Sequence, residues 1–154
     1  MTLYFAYGSN MSRLLMGRHC PRARPLGTAV LAHHRFIVMS DGYASVTPAP
    51  RASVHGVLWR LAPGEVGALD DYEGVAAGLY RSCRLPVRHG ARSFSALVYI
   101  GHSSIHGQPK PGYLELVLTA ARDWDLPAPY VAALARWATS DVEALRLPDV
   151  GQVG

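Results

Sequence analysis

Two short segments of this 154-residue chain carry residue types and spacings that could do chemistry. The first is Tyr7-Gly8-Ser9-Asn10-Met11, between an aromatic apolar run and a helical pattern. Glycine permits a tight turn and close approach of a ligand to backbone. Free N–H groups at the start of the following helix can bind an anion such as a carboxylate. The same residues also suit an ordinary strand-to-helix turn with a capping side chain. They lack the further glycines of a dinucleotide fingerprint and the Gly-Lys-Ser/Thr of a P-loop. Tyr7 and Met11 stand where a nucleophile elbow around Ser9 would need glycine. The second segment is Leu69-Asp70-Asp71-Tyr72-Glu73-Gly74-Val75, with three acids in four residues at the end of a helical pattern. Acids there oppose the helix dipole, a local conflict that hints at function when it is not mere surface. Asp70 and Asp71 read as solvated. Glu73, beside Tyr72, Val75 and Leu79, reads as partly buried, and burial would raise its pKa toward the range useful for proton transfer. A plain acidic surface cluster is the competing reading.

Other candidates are weaker. His33 and His34 are adjacent, so a strand points them to opposite faces, where they cannot share a metal. His102 and His106 lie among Gly, Ser and Pro, and His19, Cys20 and Cys83 fit no zinc spacing. No metal and no cofactor are expected. Tyr113 and Tyr130 stand near the starts of two C-terminal helical patterns, where their hydroxyls could bond a ligand or cap the core.

The elements that must position these residues follow from periodicity and punctuation. Leu3–Tyr7 is a compact aromatic run, as in a buried strand. Met11–Met16 reads as helical, with Ser9 or Asn10 as its cap, and Cys20–Pro25 as a loop. Val30–Met39 and Tyr43–Thr47 read as strands around the turn Asp41-Gly42, with Pro48-Ala49-Pro50 ending the second. Ser53–Leu61 makes another strand. Pro63-Gly64-Glu65 opens a short helix, with Val66, Leu69, Asp70 and Glu73 at helical spacing. Leu79–Val87 and Ser93–Ile100 suggest a hairpin around Arg88-His89-Gly90. Tyr113–Trp124 places Leu114, Val117, Leu118 and Ala121 on one helical face. After Leu126-Pro127-Ala128-Pro129, Tyr130–Trp137 restarts the helical period, with Val131, Leu134 and Ala138 on one side. Six strands followed by helices indicate α+β.

Composition bounds the rest. At 154 residues, a single domain spanning 1–154 is expected, with its core in 1–138 and a tail in 139–154. With 49% hydrophobic and 17% charged residues, the chain is not of the disordered class. No stretch approaches the ~18 consecutive apolar residues of a membrane span. The N-terminus has no basic segment followed by a long apolar run, so it is not read as a signal peptide. Two cysteines suit a cytoplasmic location. The net charge of +4 is local: residues 1–40 hold five arginines and no acid. Arg13 and Arg18 follow the first motif and could draw in a small anion. Aromatic ribonucleoprotein motifs and lysine-rich patches are absent, so nucleic acid is not the expected partner, nor is a membrane.

These pieces, in this order, resemble the gamma-glutamylcyclotransferase family of the AIG2-like superfamily. The resemblance rests on Tyr4-Phe5-Ala6-Tyr7-Gly8-Ser9-Asn10-Met11, Gly42-Tyr43-Ala44-Ser45-Val46, Val54-His55-Gly56-Val57-Leu58-Trp59, Leu69–Val75, Gly78-Leu79-Tyr80, Tyr113 and Leu126–Tyr130. It implies a small mixed β-barrel of about six strands flanked by helices. It implies conversion of a gamma-glutamyl amide to 5-oxoproline and a free amine or amino acid. Glu73 corresponds to the catalytic acid/base. Tyr7, Gly8, Ser9, Asn10, Met11 and Ser12 correspond to the substrate-cradling loop, joined by Tyr113 and by the substrate-contacting Tyr130. Asn10 leans toward the branch acting broadly on gamma-glutamyl amino acids. The implied partner is a small gamma-glutamyl molecule, bound by a monomer or homodimer. A non-catalytic module binding such a ligand on the same fold is the alternative. Residues 102–110 have no counterpart in the resemblance.

Overall fold

The computed structural model describes residues 2–138; the expected tail, 139–154, lies outside the described residues. Five strands form a closed barrel in the order β1-β3-β2-β4-β5. They are β1 (Thr2–Ala6), β2 (Arg24–Val38), β3 (Ala44–Leu61), β4 (Tyr80–His89) and β5 (Arg92–Gly101). Around them lie α1 (Arg13–His19), α2 (Glu65–Glu73), α3 (Tyr113–Asp123) and a fourth helix, α4, described over 128–138. The mixed, helix-flanked barrel is the architecture expected from the sequence. Among the described residues, no helix is long and apolar enough to cross a membrane.

Strand β1 closes the barrel. It runs antiparallel to β3, from Thr2 opposite Leu61 to Ala6 opposite Val57, and parallel to β5 at Tyr4 and Leu97. A closed sheet leaves no row of unpaired backbone groups. Phe5, Val57, Leu58 and Val98 are fully buried, and so are Leu69 of α2 and Val117 of α3. Each such side chain is worth about 1.5–3 kcal/mol of transfer from water.

Five strands stand where six were expected, because Tyr43–Thr47 and Ser53–Leu61 belong to one strand. Pro48-Ala49-Pro50 does not end it. The hairpin ladder with β2 runs from His34 opposite Pro48, and resumes with Ala32 opposite Ser53. Between these pairs the chains shift register, with His33 at φ 61° and Arg51 at φ 67°. A bulge of this kind absorbs extra residues and bends the strand without ending it. Strand β2 likewise starts at Arg24, inside the expected loop. The turn at Asp41-Gly42 is as expected: Met39 N–H donates to the Tyr43 carbonyl at 2.8 Å.

The helix after β1 also starts later than its pattern suggested. Ser9–Met11 forms a 3₁₀ turn, and the cap of α1 is Ser12, whose Oγ accepts the Leu15 N–H at 3.2 Å. On α3 the expected face is buried through Leu114, Val117 and Ala121, joined by Ala120. On α4, Leu134 is buried but Ala138 is exposed. The segment between β5 and α3 is strapped across the β2–β3 turn. Gly107 N–H donates to the Val38 carbonyl at 2.9 Å, and Lys110 N–H to Gly42 at 3.1 Å.

Glu65 is buried at the first position of α2. Its two oxygens accept the backbone N–H groups of Ala62 and Arg22, each at 2.8 Å. It thereby fastens α2 to the chain entering β2. Glu65→Ala strands both donors and is expected to cost about 2–3 kcal/mol, read as a lower urea midpoint with unchanged slope.

Candidate functional site

The segment that leaves β1 bends at once into the 3₁₀ turn, and Gly8 makes the bend possible. A Cβ there would stand 2.9 Å from the Tyr113 hydroxyl, so a side chain would push apart the two elements that meet at this point. Met11 and Ser12 N–H groups bond back to Gly8 and Ser9 carbonyls at 3.1 and 3.0 Å. The donors of the turn's first residues have no partner within it. The turn is held from behind: Trp124 Nε1 donates to the Met11 carbonyl at 2.7 Å, and the Arg13 guanidinium lies 3.7 Å from the Trp124 ring.

This turn forms one wall of a cavity of about 400 Å³. Tyr4, Tyr7, Gly8, Ser9 and Asn10 line it from β1 and the turn, and Leu15 from α1. Tyr43 and Ala44 come from the β2–β3 turn and the start of β3, and Tyr72 and Glu73 from the end of α2. Leu79 and Tyr80 come from the entry to β4, Tyr99 from β5, and Tyr113 and Leu116 from α3. Seven of the eight tyrosines of the chain therefore face one space. Among the described residues, Glu73 is the one charged side chain in that lining.

Glu73 is the last residue of α2. Gly74 follows in the left-handed region at φ 67° and ends the helix, a conformation that glycine adopts without Cβ strain. Burial pushes the Glu73 carboxyl up to about 7, because the charged form loses water without gaining a cation. Burial raises the phenols of Tyr4, Tyr7, Tyr80, Tyr99 and Tyr113 too, and the charge of Glu73 adds to that rise. These hydroxyls therefore stay neutral. Several are already placed by backbone: Tyr7 donates to the Tyr99 carbonyl at 2.6 Å, Tyr80 to the Ala44 carbonyl at 2.5 Å, and Tyr113 accepts the Ala44 N–H at 3.3 Å. Asn10 is buried and its Nδ2 donates to the Tyr4 hydroxyl at 3.2 Å.

The candidate residues thus divide. Glu73, Tyr7, Gly8, Ser9, Asn10 and Tyr113 meet at the cavity. Met11 and Ser12 do not line it; the first is buried beneath the turn and the second caps α1. Tyr130 lies outside the lining, its ring 4.7 Å from that of His55 on β3. Asp70 is not the solvated acid expected from the sequence: its Oδ1 accepts the Tyr99 hydroxyl at 2.6 Å. Asp71 is exposed. Arg13 and Arg18 do not line the cavity, and Arg13 is engaged with Trp124. Sequence reasoning missed Tyr4, Tyr80 and Tyr99 as lining residues. Strand alternation marks the faces of a strand but does not say which face meets a cavity.

The chain is similar in sequence and in fold to known proteins. The model of the AIG2-like family matches residues 53–134. The mouse gamma-glutamylcyclotransferase is 29% identical over 140 residues, covering 83% of this chain and 74% of the relative. The human gamma-glutamylcyclotransferase is 25% identical over 139 residues, with the same coverage. Among solved structures, a gamma-glutamyl cyclotransferase superimposes with a TM-score of 0.78 at 24% identity, covering 87% of this chain and 86% of that one. A human protein described as uncharacterized superimposes with a TM-score of 0.80 at 26% identity and the same coverage. By sequence the chain belongs to the AIG2-like family, and it is similar in sequence and in fold to gamma-glutamylcyclotransferases.

Proposed function

We propose that the cavity converts a gamma-glutamyl amide, of an amino acid or amine, to 5-oxoproline and the free amine, with Glu73 as general acid/base. The observation that carries this reading is the isolation of Glu73 as the one charged lining side chain among the described residues, raised to about 7 by burial. The substrate's α-ammonium keeps its proton more tightly than a peptide N-terminus does, because its own carboxylate is beside it; the burial that lifts Glu73 narrows the gap in proton affinity between the two.

The reaction needs little beyond orientation and one proton carrier. Glu73 takes a proton from the substrate's α-ammonium. The freed nitrogen attacks the γ-carbonyl carbon of the same molecule, and the new C–N bond closes a five-membered ring. The carbonyl oxygen becomes an oxyanion. The original amide C–N bond then breaks as Glu73 returns its proton to the departing nitrogen and the oxyanion re-forms the carbonyl; the ring nitrogen gives up its second hydrogen, and the released amine leaves as an ammonium. Because the nucleophile belongs to the substrate, holding it folded against its own carbonyl is a large part of catalysis. In this reading the N–H groups of Gly8, Ser9 and Asn10 take the α-carboxylate, and turn donors also stabilise the oxyanion. The phenols of Tyr4 and Tyr113, which accept hydrogen bonds from Asn10 and Ala44, keep a proton to donate to substrate without competing for that of Glu73.

Glu73→Gln keeps the shape and removes the base. Turnover, followed as 5-oxoproline by mass spectrometry, is expected to fall about 10²–10⁴-fold; near-normal production would refute the assignment. The acidic limb of kcat/KM should bend near pH 7, the value to which burial lifts Glu73, because only the ionised carboxyl accepts the proton.

The same group makes a prediction for stability. Its folded pKa lies above its unfolded value, so its stabilising contribution is complete below about 4.5 and is lost as pH rises through about 7. Glu73→Gln is therefore expected to be more stable than the parent at pH 8, by roughly 1–3 kcal/mol. The difference should vanish at pH 4, as read by thermal or urea melts at both values.

A further inference from the structure

The depth of the cavity and its mouth differ in chemistry. Its inner wall is buried and carries polar atoms: Tyr4, Tyr7, Asn10 and Tyr99 are at most 6% exposed. Its mouth is apolar and open to water. Six large hydrophobic side chains are exposed among the described residues, and four of them, Tyr43, Tyr72, Leu79 and Leu116, line this cavity. They are 41–49% exposed and come from four separate segments of the chain. Scattered single apolar residues on a surface need no explanation, but a convergent ring of them at a concave opening marks a binding surface.

The rim is also held in place. The Tyr72 ring stacks on His19 with centroids 3.7 Å apart. Tyr43 meets Tyr113 edge to face at 5.2 Å, and its backbone N–H donates to Asp41 Oδ1 at 3.1 Å. A preformed apolar rim loses little ordering entropy when a ligand covers it.

We infer that this rim is the subsite for the leaving group, and that the preferred substrates carry a bulky apolar one, aliphatic or aromatic, in place of a small or charged one. The inference rests on the proposed cyclisation for its orientation. The γ-glutamyl head has its ammonium at Glu73, so the amide nitrogen and its substituent project from the polar depth toward the opening. No basic side chain among the described residues lines the cavity; Lys110, whose Nζ lies 5.9 Å from the Tyr43 ring, stands outside the lining, so an anionic leaving group finds no partner charge within it. An apolar group instead covers carbon that is otherwise exposed to water. One methylene in a hydrophobic pocket is worth about 10-fold or more in kcat/KM.

The test compares γ-glutamyl-phenylalanine and γ-glutamyl-leucine with γ-glutamyl-glycine and γ-glutamyl-aspartate. Wild-type turnover is read as 5-oxoproline, and binding to Glu73→Gln is read by calorimetry. The phenylalanine and leucine compounds are expected to exceed the glycine compound at least about 10-fold in kcat/KM, and to bind Glu73→Gln more tightly. Leu116→Ser and Leu79→Ser should each shrink that ratio, chiefly through KM. Equal kcat/KM across the panel, preference for aspartate, or an unchanged ratio in both serine variants would overturn the inference. Tighter binding of the apolar compounds with no 5-oxoproline from any of them would leave the subsite standing and refute cyclisation. Turnover without preference would do the reverse.

Discussion

The seam at β1 is the constraint on which the site depends. Five residues lie between β3 and β5, antiparallel to one and parallel to the other. A parallel neighbour requires the chain to travel around the barrel before it returns, so β1 and β5 are joined from opposite ends of the sequence. That closure brings the turn after β1 against Tyr99, the end of α2 and the start of α3. The bond from the Tyr7 hydroxyl to the Tyr99 carbonyl spans 92 residues. Without the seam, the turn at Gly8 would have no opposing wall.

Helix α2 shows how one short element uses two glutamates for different purposes. Glu65, at its start, is buried but accepts two backbone N–H groups. A carboxylate with such partners near a helix N-terminus is stabilised by hydrogen bonds and dipole together. Glu73, at the other end, faces a tyrosine-lined space with no cation in its lining among the described residues, and burial lifts its pKa. The first glutamate fastens the helix; the second loses water on burial and so costs stability when ionised. Tyr4, Tyr7, Tyr80, Tyr99 and Tyr113 suit such a site, since each offers a hydroxyl that burial keeps neutral and a ring that excludes water.

Much of the fold was legible in the chain. The turns at Asp41-Gly42 and Gly90, the amphipathic face of α3 and the α+β order follow from period and punctuation. The strand through Pro48-Ala49-Pro50 was not legible, because proline reads locally as a stop, whereas the bulge opposite His33 lets β3 continue. Ser12 displaced Ser9 and Asn10 as the helix cap because a 3₁₀ turn intervenes, and capping propensity does not distinguish a tight turn from the first turn of an α-helix. The acid cluster was half legible. Glu73 stood out by its neighbours, but the role of Asp70 depends on Tyr99, 29 residues away.

By itself the sequence determined the residue types offered to the candidate site: a glutamate before a helix-ending glycine, and a glycine turn after an aromatic strand. It also determined the local elements that present them, since periodicity and capping act over a few residues. Only the tertiary structure decided which tyrosines share a cavity with Glu73, and that Tyr130 does not. Only it gathered Tyr43, Tyr72, Leu79 and Leu116 at one opening. The reason is physical: an acid's proton affinity and a pocket's polarity depend on water excluded by distant segments. The barrel brings those segments together only when β1 closes against β5.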